Sequence, residues 1–197
     1  MQLDIIYATP DPIQIISKAA GTSFNKDDVK PSRVIHCFNQ KHMSVFEHVG
    51  CTFKIEGISR ACSHQLVRHR MASFVQQSQR YTTVEGDDWY VIPPKIASND
   101  VLKNIFELDM SRSMVDYKYA LESGIKAEDA RYMLPEATKT SLTVSMNVRE
   151  LFHFFNLRLA TDAQWEIRDM AQLLLDTLHD YSDQWEKLMN LYLTGEF

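Results

Sequence analysis

The chain has 197 residues, and its 45% hydrophobic and 24% charged side chains are typical of one ordinary soluble globular domain. Its formal net charge of -5 argues against a protein that coats nucleic acid, because such domains are usually basic overall. No apolar run reaches the length of a membrane span, and the sequence has no internal repeat, low-complexity tract or flexible linker.

The cysteines indicate the compartment. Cys37, Cys51 and Cys62 are odd in number and form no CxxC pair. With no signal peptide ahead of Asp4, they are expected to be reduced thiols. We therefore predict a single domain, residues 1–197, located in the cytoplasm.

The N-terminal part of the chain predicts two strands and two helices. Residues 3–8 form a short apolar run, and residues 49–55 alternate apolar and polar side chains, so both predict strands. Residues 11–12 offer an N-cap followed by a proline at N1, and this helix is expected to end at Gly21. A second helix is expected from Pro31.

Two histidines and a glutamate stand just before the second predicted strand. His and Glu are good metal ligands, but His42 and His48 are six residues apart and Glu47 has no i, i+4 histidine partner. We predict no metal site here. Without further information the segment indicates only a polar turn.

The next stretch has an unusual charge pattern. Residues 57–84 contain no Asp, Glu or Lys, although four arginines fall within them. The planar guanidinium donates in pairs to phosphate or carboxylate oxygens, so such a window favours an anion site. The arginines are Arg60, Arg68, Arg70 and Arg80.

Periodicity divides this stretch into a helix and a strand. Residues 58–70 have apolar side chains at helical spacing, which would place Gln65, Arg68 and His69 on one face. After residue 71 a period of two would place Gln76, Ser78 and Arg80 on one side of a strand. The alternative is an exposed helix end whose basic residues complement the helix dipole.

The second half is mostly helical. Ser98 or Asn99 can cap a long helix that ends near Gly124, and a further helix is expected over residues 127–135. Residues 138–147 predict a strand, residues 149–159 a helix, and the apolar stripe from Ile167 onward two consecutive helices. The elements together indicate an α+β fold, with a mostly antiparallel sheet flanked by helices and a helical C-terminal part.

Three groups of residues resemble the flavin-dependent thymidylate synthases. Arg68-His69-Arg70, followed after seven residues by Ser78 and then Gln79-Arg80-Tyr81, is similar to the signature of that family. The H-x-S-x-x-E-H pattern at residues 42–48 resembles the family's flavin-binding stretch, and residues 147–158 and 163–167 resemble the family in order and spacing.

The resemblance implies an enzyme that reductively methylates dUMP to dTMP. In the family, 5,10-methylenetetrahydrofolate supplies the carbon, bound FAD carries the hydride, NADPH reloads the flavin, and the active site is shared between subunits of a homotetramer. No cysteine has the Pro-Cys-His setting of the thiol-dependent thymidylate synthases, so activation of the uracil is expected from fixed positive charge.

The resemblance also assigns residues. Arg158 would lie against the uracil ring and polarise it, and Arg80 and Arg131 would hold the phosphate. Ser78 has no histidine fixed beside it by the sequence, so it is assigned to binding. The other implied dUMP contacts are Gln65, Gln76 and Gln79; the implied FAD contacts are Ser23, His42, Ser44, Glu47, Arg68, His69, Arg70, Asn147, Arg149 and His153.

Two positions depart from the family pattern. Many relatives have Asn-Glu where this chain has Val75-Gln76, and Asn is also common at the position of His153. A different interpretation is a nucleic-acid-binding module that uses the Arg and Tyr residues of the 68–81 stretch, whose binding would weaken steeply with salt.

Overall fold

In a computed structural model that describes residues 1–197, the chain has an α+β fold with a four-stranded antiparallel sheet. The predicted fold class is therefore confirmed, and strands are present at or near the four predicted positions. The sheet order is β1-β2-β4-β3, with β1 at Gln2–Ala8, β2 at Gly50–Ser59, β3 at Ala72–Gln76 and β4 at Lys139–Asn147.

Helices make up most of the remaining structure. Two short 3-10 helices lie at Met43–His48 and Arg131–Met133. The α-helices are α1 Pro12–Thr22, α2 Pro31–Asn39, α3 Arg60–Leu66, α4 Pro94–Ala97, α5 Asp100–Glu122, α6 Ala127–Ala130, α7 Val148–Arg158, α8 Trp165–His179 and α9 Asp183–Thr194.

The chain divides into two compact units. Unit 1 consists of Met1–Ile55, Gln65–Phe74 and Thr143–Phe197, and unit 2 of Glu56–His64 and Val75–Leu142. Strands β2, β3 and β4 each contribute residues to both units.

The core of unit 1 includes the predicted apolar stripe. Met170 and Leu174 on α8, and Trp185 and Leu188 on α9, are fully buried, which confirms two consecutive helices packed through that stripe. The Trp185 indole N–H donates to the carbonyl oxygen of Thr9 at 2.9 Å, so the end of β1 is fixed to α9.

Unit 2 has its own core around the long helix α5. Asn99 caps this helix, because its Oδ1 accepts the backbone N–H of Leu102 at 3.1 Å. Six buried side chains form one cluster with this helix: Trp89, Met110, Met114, Tyr117, Ala120 and Ala130.

The helix predicted over residues 58–70 is wrong at both ends. Strand β2 continues through Ser59, whose Oγ accepts the backbone N–H of Cys62 at 3.0 Å, and α3 begins only at residue 60. The helix ends at Leu66, where 3-10-type bonds close the last turn. The residues 68–70 therefore lie in a turn, not on a helical face.

The predicted strand partners Ser78 and Arg80 also lie outside regular structure, since β3 ends at Gln76. A local turn replaces the strand: Ser78 Oγ accepts the backbone N–H of Arg80 at 3.2 Å, and the Ser78 carbonyl accepts that of Thr82 at 3.0 Å. Serine hydroxyls favour such turns by bonding to the backbone two residues on.

Gly21 was expected to end α1, but the helix continues to Thr22. The glycine is required by close packing instead. A Cβ on Gly21 would lie 2.3 Å from the carbonyl oxygen of Lys26 and 2.7 Å from Nη1 of Arg33.

We predict that Gly21→Ala destabilises the protein. Alanine gains about 1 kcal/mol of helix propensity, but crowding in a packed site costs about 1–3 kcal/mol, and the blocking Lys26 oxygen is backbone. The melting temperature measured by differential scanning fluorimetry should fall by about 2–8 °C. Lys18→Ala, at an exposed position of the same helix, should change it by less than about 2 °C. A higher melting temperature for Gly21→Ala would contradict the role of close packing.

Candidate functional site

A cavity of about 410 Å³ opens in unit 1 at the N-terminal end of α7. Its volume lies within the roughly 300–1,000 Å³ typical of small-molecule sites. Four of the predicted flavin contacts line it together, namely Glu47, Asn147, Arg149 and His153, with Met71 and Glu150 completing the lining.

The local structure explains how these side chains reach the cavity. Asn147 is the N-cap of α7, because its Oδ1 accepts the backbone N–H of Glu150 at 2.9 Å. Arg149 and His153 follow one turn apart on the exposed side of that helix. The Glu47 carboxylate accepts a hydrogen bond from Nη1 of Arg149, so the cavity carries a paired rather than an isolated positive charge.

The other predicted flavin contacts do not line this cavity. Of these six residues of unit 1, five are exposed and one, His69, is buried. Ser23 is the C-cap of α1, and Arg68 and Arg70 belong to the turn after α3. His42 immediately precedes the 3-10 helix of residues 43–48, and Ser44 lies within it.

His69 lies at the centre of a buried hydrogen-bonded chain. Only 3% of the residue is exposed. Its Nδ1 lies 2.9 Å from Oε1 of Glu150, and its Nε2 accepts the Nε–H of Arg158 at 3.0 Å. Nη2 of Arg158 also donates to the carbonyl oxygen of Gln65 at 3.1 Å. The structure thus brings together His69, Gln65 and Arg158 among the predicted site residues.

The partners of His69 define its protonation state. Since the Nε of arginine can only donate, Nε2 of His69 must accept and therefore carries no proton. The proton of the neutral ring is then on Nδ1, where it is donated to Glu150. Burial lowers the pKa of His69 below 6.5, and the charges of Arg158 and His153 act in the same direction against Glu150.

His69, Glu150 and His153 also have ligand-type atoms within 4.8 Å of one another. However, Nδ1 of His69 faces Glu150, and Nε2 receives the hydrogen bond of a permanently charged arginine. A metal ion at this ring would have to displace one of these partners. The donor set therefore favours hydrogen bonding within the protein, and the absence of a metal site stays a prediction.

In unit 2, Glu128 joins the two arginines predicted to hold a phosphate. Nε and Nη2 of Arg80 lie 3.2 and 3.1 Å from Oε2 of Glu128, and Nε of Arg131 donates to the Glu128 carbonyl oxygen at 3.0 Å. Arg60 lies close enough to Arg131 for their charges to interact: burial and the charge of Arg131 lower the pKa of Arg60. Arginine is the residue type that phosphate sites favour, and the phosphate site itself stays a prediction.

The remaining nucleotide candidates of unit 2 have separate positions. Nε2 of Gln76 donates to Ser63 Oγ at 3.0 Å and to Thr140 Oγ1 at 3.2 Å, so its amide already contacts the protein. Ser78 forms the turn before Arg80, and Gln79 lines a different cavity of about 600 Å³.

Three residues with roles in these networks were not among the predicted site residues: Glu128, Glu150 and Arg60. Glu150 had a signal in the sequence. It is spaced i, i+4 and i+8 with Phe154 and Arg158, which places a carboxylate on the apolar side of a helix. Glu128 had none, because nothing local distinguishes it from other surface acids.

Comparisons with known proteins agree on one family. The family model described as "Thymidylate synthase complementing protein" matches residues 4–181. The flavin-dependent thymidylate synthase of Geobacter sulfurreducens is 42% identical, over 89% of this chain and 81% of that protein. That of Pyrococcus furiosus is 44% identical, over 95% and 85% of the two chains.

The fold is similar to solved structures as well. A flavin-dependent thymidylate synthase from Helicobacter pylori, solved in complex with FAD and dUMP, superposes with a TM-score of 0.77 at 28% identity, covering 94% of this chain and 98% of that chain. A second structure of that enzyme with the same two ligands gives a TM-score of 0.80 at 27% identity, covering 98% and 100%.

We predict that His69 makes stability fall in mild acid. Its pKa is lower in the folded state than in the unfolded chain. Below pH 6.5 the unfolded chain therefore binds a proton at His69 that the folded protein does not bind, and the free energy of unfolding falls. Melting temperatures measured from pH 8 to pH 5 should therefore fall more steeply for the wild type than for His69→Gln. The exposed His48→Gln variant should follow the wild type. Parallel curves for the wild type and His69→Gln would contradict a buried neutral imidazole.

Proposed function

The chain belongs to the flavin-dependent thymidylate synthase family, and we propose that it converts dUMP to dTMP by reductive methylation with FAD bound. The one-carbon unit comes from 5,10-methylenetetrahydrofolate, and NADPH reduces the flavin. The observation that carries the proposal is the cavity of about 410 Å³ in unit 1, which four of the flavin candidates line together.

FAD fits the donor set of unit 1. Its diphosphate is anionic, and the unit offers the exposed arginines Arg68, Arg70 and Arg149 together with the amide of Asn147. Bound FAD supplies the hydride chemistry of the reaction. We assign its contacts to Ser23, His42, Ser44, Glu47, Arg68, His69, Arg70, Asn147, Arg149 and His153.

The phosphate of dUMP is assigned to the arginines of unit 2. Arg80 and Arg131 supply the charge, and Glu128 contacts both and fixes their positions. A dianion next to two guanidinium groups forms charge-assisted hydrogen bonds, which are the strong ones. Gln65, Gln76, Ser78 and Gln79 complete the assigned nucleotide contacts.

Arg158 is the proposed catalytic residue. Its guanidinium carries a fixed positive charge, which stabilises negative charge on the uracil oxygens and so favours the electron-rich, anionic form of the ring, whose C5 can attack the carbon donor. The side chain is half-buried, where a charge acts more strongly than in water. Activation of the ring then requires no covalent addition of a thiol.

The cysteines support a mechanism without a nucleophilic thiolate. Cys37, Cys51 and Cys62 form no disulfide and are buried. Burial raises the pKa of Cys51 to about 12 and also raises that of Cys37. A thiol is a nucleophile only as the thiolate, so these groups are inert at neutral pH.

The proposal includes one functional domain, a homotetramer and a cytoplasmic location. Shared active sites would join the candidates of unit 1 and unit 2 from different subunits. Exposed apolar side chains on α5, namely Val101, Leu108, Val115 and Tyr119, support association with another chain. No helix of the structure combines the length and apolar character needed to cross a membrane. The three cysteines form no disulfide, which supports a reducing compartment.

We predict that the purified protein is yellow and forms dTMP from dUMP when methylenetetrahydrofolate and NADPH are supplied. Blocking accessible thiols with N-ethylmaleimide should leave the rate within about twofold, because all three cysteines are buried and burial raises the pKa of Cys37 and Cys51. The measurement is product formation by chromatography, with and without the reagent. A colourless protein that forms no dTMP would exclude the function, and loss of activity together with alkylation of one cysteine would exclude the thiol-free mechanism.

We predict that Arg80→Ala weakens dUMP binding while bound FAD is retained. Losing a charge-assisted contact of about 1.5–3 kcal/mol corresponds to about a tenfold to hundredfold higher dissociation constant. Calorimetric titration with dUMP and the flavin absorbance of the purified variant measure the two ligands separately. Arg112→Ala, which removes an exposed arginine of α5 in the same unit, is the matched control and should bind both as the wild type does. An equal loss of both ligands in Arg80→Ala would contradict the separation of roles.

A further inference from the structure

Glu150 is the buried carboxylate of unit 1 that contacts His69, and no role has been given to it so far. Only 6% of the residue is exposed. Its backbone N–H is bonded to the Asn147 cap, so α7 is capped whatever side chain stands at this position. The carboxylate itself, however, faces Nδ1 of His69 at 2.9 Å.

Burying a carboxylate is costly. Removing an ionised group from water costs several kcal/mol unless a partner compensates it. A hydrophobic side chain at this position of α7 would pack without that cost, as its buried neighbours Leu151 and Phe154 do. The presence of a carboxylate at position 150 is therefore explained by its effect on His69 rather than by the stability of α7.

Its effect on the imidazole is specific. A neutral histidine has one ring nitrogen that donates and one that accepts, and the partner of the first fixes which is which. With Glu150 as acceptor, the proton of His69 is on Nδ1. Nε2 is then left as an acceptor that faces the Nε–H of Arg158 at 3.0 Å.

The chain continues to the guanidinium. Nε of Arg158 is held by His69, and Nη2 is held by the carbonyl oxygen of Gln65 at 3.1 Å. Two contacts on different nitrogens of a planar group define the orientation of that plane. In the opposite tautomer, Nε2–H of His69 would face Nε–H of Arg158, and the contact would become repulsive.

We propose that Glu150 is a positioning residue, which orients Arg158 for the nucleotide by holding His69 in its Nδ1–H tautomer. The inference rests on the proposed function, in which Arg158 polarises the uracil. Glu150 belongs to the lining of the cavity of unit 1, but its carboxylate faces His69, and in this proposal it acts through that ring.

The principal test is Glu150→Gln in the FAD-bound enzyme. Glutamine keeps the shape of the side chain but can donate to Nδ1 as readily as accept from it, so only the bond from Arg158 still favours the Nδ1–H tautomer. We expect kcat for dTMP formation to fall about tenfold to a hundredfold, as for carboxylates that orient metal-binding histidines. The flavin content should stay at the wild-type level. Loss of FAD, or a kcat within twofold of the wild type, would overturn the proposal.

The pH profile separates positioning from general destabilisation. His69 is faced by Glu150, Arg158 and His153, and among these only Glu150 raises its pKa. Protonation of His69 destroys the acceptor for Arg158, so activity falls on the acid side. Replacing the carboxylate should move that acid limb to lower pH in Glu150→Gln. An unchanged limb would contradict the role.

A matched control is Glu166→Gln. Glu166 is also a buried glutamate in the first turn of a helix of unit 1, and its backbone N–H is likewise bonded by a capping side chain, Gln164. The variant should keep the acid limb of the wild type whatever it costs in stability. A limb shifted equally in both variants would indicate a general effect of removing a buried charge, and would overturn the specific role of Glu150.

A double-mutant cycle tests the connection through His69. If Glu150 acts only through this ring, Glu150→Gln should reduce kcat by less than about twofold in a His69→Gln background. Additive losses would mean that Glu150 acts independently and would overturn the proposal.

The wild type alone provides a last measurement, independent of the folding of any variant. Nitrogen-15 NMR of histidine-labelled enzyme at pH 7.5, with the His69 signals assigned by their loss in His69→Gln, should show the Nδ1–H tautomer. An Nε2–H tautomer or an imidazolium would contradict the inference. If the wild type forms no dTMP, the proposed function fails; if it forms dTMP and Glu150→Gln equals it, only the positioning role fails.

Discussion

The arrangement of side chains around α7 in unit 1 depends on the buried carboxylate of Glu150, which requires a hydrogen-bonding partner. Glu150 is placed in the interior by the first turn of α7, and an unpaired ion there would cost several kcal/mol. His69 satisfies it, and this contact fixes the turn after α3 to α7. The position of Arg158 follows from the same constraint, since its Nε–H donates to that ring, and its Nη2 in turn donates to the Gln65 carbonyl oxygen.

The acid-free window of residues 57–84 acquires its counter-charges through folding. Within that window Arg80 pairs with Glu128, and His69 with Glu150; both acids come from later in the chain. Arg149 of unit 1 likewise pairs with an acid from a distant part of the chain, Glu47. Each of these glutamate–arginine pairs is neutral overall, but the glutamate holds the guanidinium donors in a fixed orientation, which suits the proposed sites for an anionic cofactor and an anionic nucleotide.

Periodicity predicted the elements whose burial is regular and failed where local hydrogen bonds decide. Strand β4 and the stripe of α8 and α9 were predicted because side-chain burial follows a period of two or of three to four. The start of α3 and the turn at Ser78 were mispredicted because serine hydroxyls bond to nearby backbone N–H groups there. Such bonds leave almost no trace in an apolar pattern.

The sequence by itself determined the residue types and their spacing, and through the stretch of residues 68–81 it determined the family. Tertiary structure alone decided which acid meets which base and which nitrogen of His69 carries the proton. The physical reason is distance along the chain: Glu150 and Arg158 are 81 and 89 residues from His69. A local sequence pattern cannot predict contacts between residues so far apart. The protonation of a buried imidazole depends on the charged groups that folding places next to it.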